Sequence, residues 1–489
     1  MFRFSYAELA GPTRKLLRHL ALHPGPDITV AAATALVGEA PDGARIRRSL
    51  DELHDFHLLA EPTPGRYRLH DLTRAFALRM FAQADPEEAR TEAAGRLFGH
   101  YLTMAHHADR HTRPHRRRLP PGPECTSAYA TGFRDADDAS AWLARERANL
   151  LAVARTAADG APAYAALFPH VLAPVLKHWG TWAVTNELYG AAVHALRALG
   201  TPYALAQTLV EAADVLAQTG HDEALSCAGE ALELFRGLGH PHGCADALLQ
   251  AGRAHLAAGH GSASLRVLDE ALTGYRQVGD REGEAGALNV QGAAFFQAGR
   301  HGEALGRARV ILAVYEETGD LLGQIRAQNN LGEFHQSQGQ YEEALTHYER
   351  SLELAQRHGG RQELDILDTN MGAVYQATGQ TARALACFRR SLESHRAHGD
   401  ALGEANTLIS SSPSFGIGPA DPVSNTRGPG GGAFHRFPGE PPCVWAHLVD
   451  SWSVHAPCMR CSSPEWRITC AQHPAHVIHT RRPTSQGVV

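Results

Sequence analysis

Two short patterns in this 489-residue sequence contain residue types that bind phosphate or metal. The first is GRYRLHDLTRAFAL at residues 65–78, where His70 and Asp71 stand between a strand-like run and a helical run. An imidazole beside the free amides of a helix start can contact a phosphate. The alternative, which the isolated chain favours, is structural: Asp71 acts as the N-cap of the helix and His70 packs on the preceding strands.

The second pattern is Cys458-x-x-Cys461 followed by Cys470-x-x-His473, which has the spacing of a zinc knuckle. The eight residues between the two pairs are short for a zinc ribbon, and the surrounding sequence offers little to pack around a metal. We therefore predict no metal site. The four side chains are the weak candidates, and accidental cysteines in an unfolded tail are the favoured explanation.

Other catalytic patterns are absent from the sequence. It contains two lysines, Lys15 and Lys177, and neither follows the glycine-rich loop that cradles nucleotide phosphates. Serine-hydrolase, zinc-protease and dinucleotide-binding motifs are also missing, so we predict that the protein is not an enzyme and has no cofactor of its own. The net charge of −6 lacks the basic excess that binding to a nucleic-acid backbone normally requires.

Nothing in the sequence indicates a membrane or an export route. Charged residues interrupt every apolar run in the first 30 positions, and no run approaches 18 apolar residues. Cys125, Cys227, Cys244 and Cys387 are single and widely spaced, as in a reducing compartment. The expected location is therefore the cytoplasm.

The strongest pattern is an internal repeat of 40 residues. Three ladders keep this interval through five units. Their members are Gly239, Gly279, Gly319, Gly359 and Gly399; Ala212, Gly252, Gly292, Gly332 and Gly372; and Leu225, Leu265, Leu305, Leu345 and Leu385. Three ladders with one interval are very unlikely to arise by chance, so the repeat organises more than half of the chain.

Each unit predicts two helices, as residues 325–358 illustrate. Leu331 and Phe334 share one face of the first helix, Gly332 leaves space for a close neighbour, and Gly339 ends that helix. The second helix carries apolar residues three and four positions apart. These positions resemble the tetratricopeptide repeat, with about six extra residues per unit.

The first hundred residues predict a different fold. Apolar spacing indicates helices at GPTRKLLRHLALH, ITVAAATALVG and DGARIRRSLDELHDFHLL, followed by strands around Leu58–Ala60 and Tyr67–Leu69. Three helices followed by a β-hairpin form a winged-helix arrangement. RPHRRRLPPGP within residues 101–137 is too rich in proline and arginine for a packed element, so we predict a linker with a solvated basic loop.

The predicted fold class is all-α: a winged-helix domain, then a tetratricopeptide-repeat solenoid, then a disordered tail. From Ser410 onward the repeat stops and prolines accumulate, as in a foreign or out-of-frame segment. The predicted domains are 1–100 (winged helix), 101–137 (linker), 138–200 (degenerate helical repeats), 201–409 (about five 40-residue units) and 410–489 (disordered tail).

A second resemblance rests on FSYAELAGPTRKLLRHLALHPGPD, LDELHDFHLLAEPTPGRYRLHDLTRAFA and AWLARERANLLAVA. These segments resemble the part that follows the nucleotide-binding domain in NB-ARC-type STAND ATPases, above all in SARP-type bacterial transcriptional regulators. In that family the histidine that matches His70 contacts the β-phosphate of ADP, and Asp71 matches its partner. The family's phosphate-binding loop is missing, so ADP or ATP is expected only if a nucleotide-binding domain is supplied from elsewhere.

The resemblance implies a truncated or split regulator that binds a protein or peptide without catalysis. The solenoid's inner face would hold this partner, and a nucleotide-binding domain would be a further partner in trans. The inward-facing residues by repeat position are Arg253, Asn289, Phe296, Arg326, Asn329, Glu333, Gln336, Thr369 and Gln376. The alternative for any one of them is that it only solvates that face.

A different alternative is an autonomous DNA-binding winged-helix regulator whose repeats receive effectors. Its third helix offers Arg45, Arg47 and Arg48 to DNA, but Asp51 and Asp55 follow on the same helix. Residues 1–100 hold 13 basic and 13 acidic side chains, so the sequence predicts no basic face. DNA contact by this chain alone is therefore the less favoured hypothesis.

Overall fold

The structure, a computed structural model, describes residues 2–38, 43–114, 116, 118–120, 122–176, 179, 182–217, 221–358, 361–398 and 401–411. These ranges contain twenty α-helices and three short β-strands, so the protein is all-α in class. The chain divides into two compact units, 1–254 and 255–489. Apart from Ser410 and Ser411, the tail predicted to be disordered lies outside the described residues.

The first unit begins with helices and one small sheet. Their bounds are α1 Phe2–Glu8, α2 Gly11–Leu20, β1 Ile28–Thr29, α3 Val30–Val37, α4 Gly43–Asp55, β2 Ala60–Thr63, β3 Arg66–Arg68, α5 Asp71–Ala84 and α6 Glu87–Thr112. The sheet is antiparallel with strand order β1-β3-β2. Ile28 pairs with Tyr67, and Ala60 pairs with Arg68.

Helices α2 and α4 contribute leucines to one hydrophobic core. Leu16 and Leu17 of α2 and Leu50 and Leu53 of α4 are almost completely buried. Glu52 of α4 also accepts a hydrogen bond from the backbone N–H of Ala10, at 3.1 Å, just before α2 begins. A carboxylate at this position satisfies an amide that the helix itself leaves unpaired and complements the helix dipole.

The small sheet differs from the sequence prediction. The second helix was expected to begin at Ile28, but Ile28 and Thr29 form β1, and Thr29 then caps α3 by accepting the N–H of Ala32 at 3.3 Å. The hairpin therefore has a third strand. A two-residue strand has too short an alternation to be recognised in sequence, and only its pairing with β3 defines it.

The predicted linker at 101–137 begins too early. α6 continues to Thr112, and Tyr101, Leu102, Ala105 and Ala108 on it are at most 1 % exposed. The core cluster of this unit extends from Leu9 as far as Val215, so no boundary falls at residue 100. The apolar side chains in the second half of α6 pack against later helices. The composition of the segment after α6, rich in proline and arginine, did not indicate this packing.

The basic segment RPHRRR is not a solvated loop throughout. Arg116 contacts Asp109 at 3.0 Å and Glu211 at 3.0 Å, and Arg118 contacts Asp109 at 2.6 Å. Asp109 is only 3 % exposed. The two arginines therefore hold the segment against α6 and a later helix, because their guanidinium groups form ion pairs within the protein.

The remaining helices form hairpins. In the first unit they are α7 Ala136–Gly160, α8 Pro162–Leu176, α9 Trp182–Leu199, α10 Pro202–Leu216, α11 His221–Gly237 and α12 Pro241–Ala257, the last of which crosses the division between the units. In the second unit they are α13 Gly261–Val278, α14 Arg281–Gln297, α15 His301–Thr318, α16 Leu321–Ser337, α17 Tyr341–His358, α18 Arg361–Ala377, α19 Thr381–His398 and α20 Ala401–Ser410.

The 40-residue repeat is confirmed as a repeat of helical hairpins. The first helices of four successive hairpins, α12, α14, α16 and α18, begin 40 residues apart. Gly279 and Gly319 end the second helices α13 and α15 with φ of 70°, a conformation that favours glycine. None of the helices in the described ranges combines the length and apolar composition needed to cross a membrane.

Glycine and aromatic residues interlock within and between these hairpins. A Cβ on Gly332 of α16 would lie 2.5 Å from the ring of Tyr348 on α17, and one on Gly372 of α18 would lie 2.8 Å from the ring of Phe388 on α19. Tyr348 is completely buried. The prediction that Gly332 allows close approach is therefore correct, and the neighbour is an aromatic ring.

We predict that Gly332→Ala destabilises the second unit by about 1–3 kcal/mol, because the added methyl group overlaps a buried ring that has little room to move. The matched control is Gly306→Ala in α15, where an added Cβ would meet nothing within 4 Å. This control should be neutral or stabilising by about 0.5–1 kcal/mol, since alanine favours helix interiors. Urea unfolding followed by circular dichroism measures both; equal midpoints for the two variants would contradict the prediction.

Candidate functional site

The predicted His-Asp pair lies at the start of α5. His70 itself is the N-cap residue, and its Nδ1 accepts the N–H of Leu72 at 3.4 Å. Asp71 is the first residue of the helix, and both side chains are exposed. The expectation that Asp71 caps the helix and His70 packs on the strands is therefore wrong, because His70 occupies the capping position one residue earlier.

His70 and Asp71 line a cleft of about 920 Å³ in the first unit. Its walls come from the turn at residues 21–26, from the end of β3, from α5 and from α6. Three arginines share the cleft with the pair, namely Arg68, Arg74 and Arg90. Cationic side chains and the amide end of a helix around one cavity are suited to an anionic group.

The three arginines differ in their hydrogen bonds and in their exposure. Arg74 donates hydrogen bonds to the carbonyl oxygens of His23 and of Gly25, the latter at 3.2 Å. Burial lowers the pKa of this guanidinium below its usual value. Arg90 lies 3.7 Å from Glu87, and both side chains are more than half exposed. Arg74 therefore stabilises the cleft wall. The side chains of Arg68 and Arg90 are exposed at the cleft.

A partly buried polar network, which no sequence motif indicated, lies beside the cleft. Arg66 of β3 forms ion pairs with Asp27 and with Glu146 of α7. Asn149 donates from Nδ2 to Asp27 at 3.2 Å and to Glu146 at 2.7 Å. Hydrogen bonds from Arg66 outweigh burial and raise its pKa, so it stays charged. No motif pointed to these residues, because 119 positions separate the two carboxylates in the sequence.

His23 connects the cleft wall to α6. Its Nδ1 accepts the N–H of Gly25 at 3.1 Å, so its Nε2 carries the proton that is shared with the hydroxyl of Tyr101 at 3.0 Å. Burial, aided by Arg74, lowers the pKa of His23 to about 3. His100, also buried, has a pKa lowered to about 4 by desolvation. Both imidazoles are therefore neutral at pH 7.

The second candidate region is the row of predicted inward-facing residues in the repeats. At its centre Asn329 and Glu333 of α16 meet Asn370 of α18. The amide of Asn329 donates to Glu333 Oε1 at 2.7 Å, and the amide of Asn370 donates to the same oxygen at 2.9 Å. Glu333 is 7 % exposed. The prediction omitted Asn370, which occupies a repeat position that was not counted as inward-facing.

Three further predicted residues surround this centre. Arg326 is exposed and lies 3.5 Å from Glu363. Gln336 accepts a hydrogen bond from the hydroxyl of Tyr348 at 2.8 Å. The ring of Phe296 on α14 packs edge-to-face on Phe334 of α16, with 5.9 Å between centroids. The contacts of Arg326 and Phe296 join first helices of consecutive hairpins, whereas the contact of Gln336 joins the two helices of one hairpin.

The remaining predicted residues are placed differently. Thr369 is buried, and its hydroxyl bonds those of Ser391 and Thr407 at 2.9 and 3.1 Å, so it joins three helices and does not line an open surface. Asn289 is half-buried, with an Oδ1 that no described residue bonds, and Gln376 is also half-buried. Arg253 belongs to the first unit, where it contacts Asp214 at 2.7 Å.

No cluster of three or more metal-ligating side chains occurs among the described residues. The four weak zinc candidates, Cys458, Cys461, Cys470 and His473, lie outside the part of the chain that the structure describes.

Comparison with known families assigns the class of the repeat. Residues 323–397 match the family model of the tetratricopeptide repeat, and this range covers the hairpins α16–α17 and α18–α19. These two hairpins are thus of the tetratricopeptide type.

Curated relatives match a third of the chain. The regulatory protein AfsR of Streptomyces griseus is 38 % identical over 170 residues, which are 34 % of this chain and 17 % of that protein. AfsR of Streptomyces coelicolor is 35 % identical over 165 residues, which are 33 % of this chain and 16 % of that protein. The similarity therefore spans about a sixth of the length of these relatives.

The matching solved structures have low sequence identity to this chain. A signal-transduction ATPase with numerous domains (STAND) that has a tetratricopeptide-repeat sensor, from Pyrococcus horikoshii, matches with a TM-score of 0.49 and 16 % identity. The match covers 85 % of this chain and 55 % of the Pyrococcus horikoshii chain. A Rap protein in complex with competence and sporulation factor matches with a TM-score of 0.42 and 16 % identity, covering 53 % of this chain and 77 % of its own.

We predict that the first unit loses stability as the pH falls from about 6.5 towards 4. The unfolded chain binds protons at His23 and His100 near pH 6.5, whereas the folded chain binds them only near pH 3 and 4. The free energy of unfolding should therefore decrease over this interval. In His100→Gln, the slope of the free energy of unfolding against pH should be smaller by the contribution of about one proton. Urea unfolding at a series of pH values measures this slope.

The matched control for this measurement is His194→Gln, which removes an exposed imidazole from α9 of the same unit. It should leave the pH dependence of the wild type unchanged. An unaltered slope in His100→Gln would show that His100 does take up its proton in the folded chain.

Proposed function

We propose that the protein is a non-catalytic regulatory protein: the sensory, partner-binding arm of an NB-ARC (STAND) transcriptional regulator of the SARP type. The observation that carries the proposal is the stack of tetratricopeptide-type hairpins with a polar row on its first helices. Helical repeats of this kind present extended surfaces to polypeptides. The similarity to AfsR, a regulatory protein by name, supports the same class of function.

In this proposal the region from α2 to β3 is a winged helix that serves as an intramolecular regulatory element. Its element order, helix, short strand, two helices and a β-hairpin, supports that assignment. His70 would contact the β-phosphate of ADP, with Arg68 and Arg90 near enough to the cleft to add positive charge. The rest of the nucleotide site belongs to a nucleotide-binding domain, which another chain or another part of a longer protein provides.

The mechanism is a shift between docked and released states. A polypeptide bound to the repeats biases how the winged helix packs on the nucleotide-binding domain, and His70 reports whether ADP occupies the interface. Such a ligand can shift the equilibrium only by the difference between its affinities for the two states. We expect the protein to act in the cytoplasm.

Sequencing of the DNA on both sides of the gene tests whether the chain is part of a split regulator. We expect an upstream reading frame that encodes a phosphate-loop ATPase domain and a downstream frame that continues the 40-residue repeat beyond Ile409. DNA that encodes neither of them would contradict the split-regulator assignment.

A substitution tests the nucleotide contact. In a complex of the full chain with that ATPase domain, we predict that His70→Ala accelerates ADP release by at least about tenfold, since a hydrogen bond to a charged group contributes about 1.5–3 kcal/mol. The control His57→Ala alters another exposed imidazole of the same unit. Stopped-flow release of a fluorescent ADP analogue measures both; the same rate in the two variants would remove His70 from the site.

A second candidate function is direct DNA binding, favoured by one observation. Arg45, Arg47 and Arg48 of α4 are all exposed, whereas Glu52 on the same helix is occupied with α2. If this function holds, Arg47→Ala together with Arg48→Ala should weaken binding of the full chain to duplex DNA at low salt, as measured by gel shift. Absence of any shift with the wild type at 50 mM salt would exclude it.

A further inference from the structure

The last helix of the repeats that the structure describes, α20, is the first helix of a hairpin. It begins 40 residues after α18, and the hydroxyl of its Thr407 bonds that of Thr369 on α18 at 3.1 Å. The amide of Asn370 on α18 similarly donates to Asn329 on α16, so first helices of consecutive hairpins contact each other. Among the described residues no second helix follows α20. One side of α20 therefore lacks, in this part of the chain, the helix that packs there in the preceding hairpins.

Leu408 of α20 occupies a repeat position that faces the second helix. The equivalent residue 40 positions earlier, Asp368, accepts a hydrogen bond from Arg390 of α19 at 3.0 Å. The equivalent residue of the hairpin before, Gln328, bonds His347 of α17 at 2.7 Å. Each contact reaches the second helix of the same hairpin. Gln328 is 6 % exposed, whereas Leu408 is an apolar side chain that is 46 % exposed.

Two further apolar side chains are exposed at the same end of the repeats. Ile409 is the equivalent of Thr369, which contacts the next first helix, and it is 37 % exposed. Leu385 of α19 is 49 % exposed, whereas its equivalent Leu305 is half-buried in a cluster with Phe334 of the next hairpin. We call the surface formed by Leu385, Leu408 and Ile409 the open end. It is unusual, because the terminal repeat of a solenoid normally has a polar outer face.

A second copy of the chain offers a helix with the direction and the chemistry that the open end requires. The two helices of a helical hairpin run antiparallel. A two-fold axis perpendicular to α20 also places two copies of α20 antiparallel, and in such a contact each copy presents the same surface to the other. The apolar side chains of one open end would then cover those of the other, and both would be removed from water.

The charges of α20 also permit a symmetric contact. Such a contact brings identical side chains close together, so unpaired charges of one sign would oppose it. The helix Ala401–Ser410 contains one charged side chain, Glu404, and this carboxylate pairs with Arg396 of α19 at 2.6 Å. Repulsion between the two copies of α20 is therefore small.

We infer that the open end of the second unit is a homodimer interface. In the dimer, α20 of a second copy takes the position that a second helix has in the preceding hairpins, with Leu408 at the two-fold axis and Leu385 and Ile409 beside it. This interaction surface is separate from the inward-facing row of the repeats and from the cleft at His70. It does not depend on the proposed binding of a polypeptide or of ADP.

Sedimentation velocity of the purified full chain, from about 1 to about 200 µM, tests the inference. The wild type should change from monomer to dimer within this range, because a small interface gives a weak complex. Leu408→Glu should raise the dissociation constant of the dimer at least about a hundredfold, since the symmetry brings the substitution into the interface twice and places two carboxylates together. Leu385→Glu is a second variant with the same expected direction, and circular dichroism checks that each variant keeps its helices.

The matched control is Leu321→Glu, which changes a leucine that is 43 % exposed at the start of α16. This variant should dimerise like the wild type. A wild type that stays monomeric up to about 200 µM would overturn the inference, and it is the result expected if residues 412–489 cover the open end instead. A dimer that persists unchanged in both Leu408→Glu and Leu385→Glu would overturn it as well, because that dimer would form through another surface.

Discussion

The contact between a glycine and an aromatic ring is the constraint on which the repeat region depends. Gly332 faces Tyr348 and Gly372 faces Phe388 within hairpins, while Gly323 faces Tyr315 of the preceding hairpin. Each ring occupies the volume that a side chain on the glycine would take, so neighbouring helices approach closely and the buried aromatic surface is large. The contact between consecutive hairpins recurs at the 40-residue interval, because Gly243 and Gly283 lie against Phe235 and Tyr275 as Gly323 lies against Tyr315.

The close approach of the helices also determines where polar residues can act. Asn329, Glu333 and Asn370 lie on the first helices of two consecutive hairpins and come within 3.0 Å of one another because those helices are adjacent. A carboxylate buried in this way is costly without donors, and the asparagines provide them. The same packing that stabilises the fold thus creates an oriented charge, which a flexible surface could not maintain.

In the first unit, an ion-pair network holds a turn, a strand and a helix in one arrangement. Asp27, Arg66 and Glu146 connect the turn before β1, the hairpin strand β3 and α7. Buried ion pairs contribute little net stability, but removing one partner leaves an uncompensated charge, so they favour one arrangement over its alternatives. The cleft beside His70 shares a wall with this network through Gly25, which leaves no space for a side chain beside Asn149. The shape of the cleft therefore depends on the position of α7.

The amino-acid sequence by itself determined the helical class, the repeat and the position of Gly332, because apolar and glycine spacing along a helix is local information. It also placed His70 at a helix start. It did not reveal β1, the buried half of α6 or the ion pairs of Arg116 and Arg118. Many of the partners are distant in sequence: Arg116 and Glu211 are 95 positions apart, Asp27 and Asn149 are 122 apart, and Glu333 and Asn370 are 37 apart. Only the tertiary structure decided which polar side chains meet, because burial and hydrogen-bond partners depend on helices that are distant in sequence and adjacent in space.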